Sequence, residues 1–180
     1  MSARVEPERH RRRGAIAARL LEAAPDAAAA LDWDALDRAP AWLAVSDPDL
    51  ALDQRRIGAV FNTVEIRLWI DRRKLAAART AVGDAFLRAL LADCAAPDVS
   101  CHTVTAGDGG SDVAEWLRQA GAAVQAAAIC DSPLRHAAEI ALCGHAGDAL
   151  PLPAEAARSL VEHARRIGAT LAAAAPEAAQ

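Results

Sequence analysis

The chain has 180 residues, a hydrophobic fraction of 53% and a formal net charge of −4, a balance that predicts one soluble globular domain and excludes a disordered or fibrous chain. A sequence pI near 5.7 argues against general nucleic-acid binding, which needs a basic footprint. No apolar run approaches the ~20 residues that cross a bilayer.

About a quarter of the residues are alanine, which favours helix but contributes only ~0.8 kcal/mol per buried methyl group. The core therefore has to come from scattered Leu, Ile and Val with the four Trp and two Phe. In chain order, residues 1–13 are polar, end in the basic run Arg11–Arg13 and predict a flexible lead. Arg19 interrupts the apolar stretch that follows, so no secretory leader is expected. A first helix is expected over Gly14 to Ala24, with Ile16, Leu20 and Leu21 on one side and Pro25 closing it. Trp33, Leu36, Trp42 and Leu43, broken up by Asp34, Asp37 and Pro40, predict an irregular segment anchored by aromatics.

Ser46-Asp47-Pro48 is the clearest start signal, Asp47 as cap and Pro48 at the first helical position. Leu50, Ile57, Val60, Phe61 and Val64 then share one broad side at helical spacing. Asn62-Thr63 marks a possible break. The alternation Val64, Ile66, Leu68, Ile70 would suit a strand, but no segment elsewhere offers a matching partner, so helix is preferred. Asp71 predicts a cap for a helix over Arg72 to Val82, and Gly83-Asp84 a kink or restart before Phe86, Leu87, Leu90 and Leu91. Pro97, Gly107, Gly109 and Gly110 predict a long loop over 95–111. Helix is expected again from Ser111 or Asp112, carrying Val113, Trp116, Leu117, Ala120 and Val124. Another follows from Ser132-Pro133 to about Leu142, and a last one from Ala154 to Ala174 with Leu160, Val161, Ala164, Ile167 and Leu171 inward. The expected fold is all-α: a single compact domain of six to eight helices over residues 14–175, with 176–180 as tail.

Candidate chemistry is sparse. Cys94, Cys101, Cys130 and Cys143 lack the paired spacing of zinc ligands, and the reducing compartment expected for an unexported chain disfavours disulfides, so they read as small buried thiols. The loop Ala106 to Ser111 lacks the Gly-Lys-Ser/Thr ending of a phosphate loop and puts Asp108 where phosphate would be repelled. Cys101-His102, His136 with Glu139, and Glu162-His163 do not form a nucleophile–base–acid arrangement, and the histidines are expected to be solvated or capping. No catalytic residue, metal site or cofactor is expected. The basic clusters at Arg9–Arg13, Arg55-Arg56, Arg72–Lys74 and Arg165-Arg166 are solvated faces or docking surfaces, because arginine's planar, multi-donor head suits interfaces. Trp42 and Trp69 are core plugs or interface anchors.

The stretch from Asp47 to Leu91, with its Pro-started helix, Leu68-Trp69-Ile70-Asp71, a basic-led helix and Val82-Gly83-Asp84-Ala85-Phe86-Leu87, resembles the SctK/YscK family of type III secretion accessory proteins and its Hrp counterparts. Trp42-Leu43 upstream and Ala114-Glu115-Trp116-Leu117-Arg118-Gln119-Ala120-Gly121 downstream are similar to further helical blocks of that family, so the resemblance covers roughly residues 40–175. It implies a non-enzymatic cytosolic adaptor in the sorting platform beneath the inner membrane, peripheral to it through SctD. Its partners would be the SctD cytoplasmic domain and SctQ, with SctL and SctN reached indirectly. The family offers no catalytic residue and no motif that transfers contact residues. From the residues themselves, Trp42, Trp69, Arg72, Arg73 and Lys74 are the expected partner-binding set. A helical small-molecule-binding or regulatory module is the alternative, ahead of an uncharacterised enzyme.

Overall fold

A computed structural model describes residues 5–93, 112–144 and 150–174. The expected glycine-rich loop, the C-terminal tail, Cys94, Cys101, His102 and His145 lie outside these residues. The protein is all-helical, with ten α-helices, one 3-10 turn and no strand among the described residues. They are α1 (Val5–Ala23), α2 (Pro25–Ala29), α3 (Trp33–Arg38), α4 (Asp47–Phe61), α5 (Thr63–Leu68), α6 (Arg72–Val82), α7 (Asp84–Ala92), α8 (Val113–Ala127), α9 (Ser132–Cys143) and α10 (Ala154–Ala174), with the 3-10 turn over Ala41–Ala44.

Several boundaries follow from local chemistry. Asp71 accepts from Arg73 N at 2.7 Å and Asp112 from Ala114 N at 3.0 Å, satisfying amides that a helix start leaves open. Gly83, at φ 92, adopts a backbone that other residues resist, so α7 restarts there rather than continuing α6. Gly144, at φ 79, ends α9 in the left-handed conformation. Two starts differ from expectation by one position. Ser46, not Asp47, is the residue before α4, and Asp131, accepting from Leu134 N at 3.2 Å, caps α9 instead of Ser132.

The flexible lead expected over residues 1–13 is corrected over 5–13, where α1 is already helical from Val5. Contacts remote in sequence hold it. Arg13 and Arg9 both donate to the carboxylate of Asp37 on α3, and Arg12 donates to the carbonyl of Ala39. Those two guanidinium groups, Arg13 first, keep the Asp37 carboxyl well below the ordinary carboxylate range.

Two apolar clusters form the interior. One gathers Ile57, Ile66, Val82, Phe86, Leu87, Leu90, Trp116, Leu117 and Leu160 from α4 to α8 and α10. The other joins Ile16, Leu20, Leu36, Trp42, Leu43, Leu50, Ile129 and Leu134 from α1, α3, α4, α9 and the segments beside them. Helices α4 and α8 contribute to both clusters. They meet backbone to backbone: a Cβ on Gly58 would lie 1.9 Å from the Leu117 carbonyl oxygen, and one on Gly121 1.8 Å from that of Gln54. Only hydrogen fits at either position, and the pairing of 58 with 117 and 54 with 121 makes the crossing antiparallel.

Candidate protein-docking surface

The bend from α5 into α6 breaks the helical pattern. Asn62 Nδ2 donates to the Gly58 carbonyl at 2.9 Å, and Thr63 Oγ1 donates to the Ala59 and Val60 carbonyls. These side chains hold the end of α4 and let the chain turn into α5. Ile66 is buried on α5's inner side. Val64 and Leu68, one helical turn apart, are 63% and 74% exposed. Val64 therefore does not continue the inward face of α4 as the spacing predicts, because the break at Asn62 resets the phase. After Leu68 the backbone is extended at Trp69 and Asp71, and Ile70 between them is 95% exposed. Arg72 and Arg73, exposed, and Lys74, half-buried, follow in the first turn of α6.

The eleven residues 64–74 thus hold three exposed aliphatic side chains and four cations, Arg67, Arg72, Arg73 and Lys74, with Glu65 and Asp71 among them. Arg72, Arg73 and Lys74 differ from most other arginines of the fold, although Arg55 on α4 is likewise without a partner for its Nε. Arg19 donates to the carbonyls of Leu43 and Val45 and to Asp47. Arg135 donates to Ala127 and Ile129 at the end of α8, and Arg67 to Leu91 and Asp93 at the end of α7. Arg56 lies 5.1 Å over the Phe86 ring and reaches the Val82 carbonyl. Arg165 pairs with Asp53 and Arg166 contacts His163. Among the described residues, the side chains of Arg72, Arg73 and Lys74 have no such partner. Solvated cations beside exposed aliphatics are the composition of a docking surface, with apolar anchors and charges that steer.

The two tryptophans of the expected binding set separate. Trp69 is half-buried on the bend, its ring 5.6 Å from that of Trp116 and tilted by 40°, so it braces the surface from beneath. Trp42 is buried in the α1–α3–α9 cluster. It is a core plug, a correction to its place in the expected set. The signal missed in sequence is the exposure of Val64, Leu68 and Ile70, which alternation alone could not assign to solvent.

His136 is exposed with Glu139 nearby on α9, and no hydrogen bond joins them. His163, expected to be solvated, is instead buried on α10. Its Nδ1 lies 3.1 Å from Arg166, and its Nε2 lies 3.3 Å from Asp93 Oδ2 without forming a hydrogen bond. Burial, reinforced by Arg166 and opposed by Asp93, pushes the imidazole below its usual value, so the neutral ring is favoured. Cys130 is exposed rather than buried, and Cys143 is half-buried. Burial and then Glu139 push the Cys143 thiol up, away from the reactive thiolate. Among the described residues no group of three or more His, Cys, Asp or Glu side chains is placed to hold a metal ion.

A cleft of about 550 Å³ lies between α1, α4, α8 and α9, lined in part by Arg19, Glu22, Gln54 and Arg118. Both of its arginines are engaged, Arg19 as described and Arg118 with Glu115 at 2.6 and 2.7 Å. That pairing lowers the Glu115 carboxyl and raises the Arg118 guanidinium. No helix among the described residues is long and apolar enough to cross a membrane. No protein-family model matches the chain, and neither a curated protein nor a solved structure matches it.

Proposed function

We propose that the protein is a non-catalytic adaptor of a type III secretion sorting platform, joining the cytoplasmic domain of SctD to SctQ at the cytosolic face of the inner membrane. The observation that carries a binding role is the corner at α5 and α6: Val64, Leu68 and Ile70 exposed beside the unengaged Arg72, Arg73 and Lys74. The particular apparatus rests on the resemblance of Asp47 to Leu91 and its flanking blocks to the SctK/YscK family. The alternative, a small-molecule-binding module, would use the cleft at Arg19 and Arg118, whose cations are already paired, and this favours the adaptor.

The test is titration calorimetry of the protein against the SctD cytoplasmic domain and against SctQ from the same bacterium. Combined Arg72→Glu and Arg73→Glu should weaken capture of one partner about tenfold or more, with the helical circular-dichroism signal unchanged. Binding of neither partner by the unaltered protein removes the adaptor reading. Unchanged binding by the variant removes only the placement of the surface.

A further inference from the structure

A second stretch of chain with exposed apolar side chains, acidic rather than basic, runs from the end of α1 into α3. Trp33, opening α3, is 64% exposed, and Leu21, near the end of α1, is 51% exposed. Glu22, Asp26, Asp32 and Asp34 are exposed on the same short stretch of chain. Asp32 accepts from Ala35 N as the cap of α3, while Glu22, Asp26 and Asp34 have no ion pair among the described residues. Arg38, whose guanidinium is raised first by its hydrogen bond to Asp131 at 2.8 Å and least by the charges of Asp32 and Asp34, is held by Asp131. Among the described residues, the carboxylates of Glu22, Asp26 and Asp34 are therefore left to solvent or to another molecule.

The acidic patch belongs to the elements of the α1–α3–α9 cluster, and the basic corner to the elements around Ile66, Val82 and Phe86. Each copy thus carries two complementary surfaces: an indole and a leucine among carboxylates, and three exposed aliphatic side chains beside the unengaged Arg72, Arg73 and Lys74. We infer that the α5–α6 corner receives the Trp33 patch of a second copy of this chain. The inference rests on that corner being a docking surface and adds its regulation: a second copy seated there excludes the adaptor's partner. Because the two patches differ, a single contact leaves one of each free, and the assembly closes as a reciprocal pair or larger ring or extends as an open chain. The few anchors on each side make it a small, transient interface that salt weakens.

Sedimentation velocity over rising concentration, up to about 1 mM, tests this with three proteins. The unaltered chain should self-associate, as a closed dimer or beyond, and raised salt should reverse this. Arg72→Glu with Arg73→Glu should associate at least about tenfold more weakly, as should Asp32→Asn with Trp33→Ser and Asp34→Asn, in which asparagine retains the cap of α3. Mixed one to one, the two variants should form a dimer and stop there, since each retains the patch that the other has lost. That rescue also shows that both variants are folded. A chain that stays monomeric, variants that associate like the unaltered protein, or a mixture that stays monomeric overturns the inference. Binding of SctD or SctQ is read separately, so a failure of the adaptor reading remains distinguishable.

Discussion

Helices α4 and α5 are separated by one residue, Asn62, yet they are opposites. Along α4, Gln54, Ile57, Gly58, Ala59 and Val60 are buried, and at Gly58 the backbone touches that of α8. Along α5, Val64 and Leu68 face water, and Ile70 beyond it is almost fully exposed. Hydrophobic content does not distinguish the two segments; the phase reset at Asn62 does. A chain this rich in alanine has few large side chains with which to fill a core, so it gains contact by bringing backbones together at glycine. The aliphatic residues at the corner are left outside that interior.

The contrast predicts where substitutions matter. The largest effect is expected at the crossing: Gly58→Ala forces the Leu117 carbonyl to move and should cost about 3 kcal/mol, a fall in Tm on the order of 10 °C by calorimetry. A stable Gly58→Ala protein would show that the helices do not meet this closely. Next is Gln125, fully buried on α8 with neither side-chain polar atom hydrogen-bonded. Gln125→Met keeps its shape, removes the unmet polar groups and should raise stability by about 1–2 kcal/mol in denaturant titration. No gain would mean that the amide has a partner.

A smaller effect follows from His163. Its folded value is depressed, so as pH falls below ~6.5 the unfolded chain takes up a proton that the folded protein resists. Stability declines from there until the buried ring itself titrates. Between pH 7.5 and 5.5, His163→Gln should therefore lose less stability than the unaltered protein; parallel losses would contradict the buried neutral ring. The smallest effect belongs to the corner. Ile70→Ser should leave stability within about 0.5 kcal/mol, whereas Ile66→Ala, four residues away and buried, should cost about 3 kcal/mol. A large loss at Ile70 would show that this residue is covered within the fold.

Local chemistry was legible in the sequence. The cap at Asp71, a helix start at Ser111 or Asp112, a kink or restart at Gly83-Asp84, the α10 face from Leu160 to Ile167 and the all-helical class each depend on residues a few positions apart. What escaped depends on partners far along the chain. Helix α1 starts early because Arg9, Arg12 and Arg13 reach Asp37 and Ala39, 24 to 28 positions on. Trp42 sits between acidic and proline residues in sequence but among Ile16, Leu20 and Leu134 in space. Of the candidate site, the cations at 72–74 and Trp69 could be named from sequence. Their aliphatic companions could not, because helical spacing places Val64 inside until the Asn62 turn is known.

The pair Trp69 and Trp116 gives this surface an optical reporter. Two indoles 5.6 Å apart couple their transitions, and Trp69 lies on the bend between the exposed aliphatics and the cations. Anything settling there changes the polarity around one member of the pair, while Trp42, enclosed in the other cluster, does not respond. Trp33→Phe removes the exposed indole of α3, so that the signal comes from the corner alone. Intrinsic fluorescence and near-ultraviolet dichroism can therefore follow occupancy of the corner with no attached label.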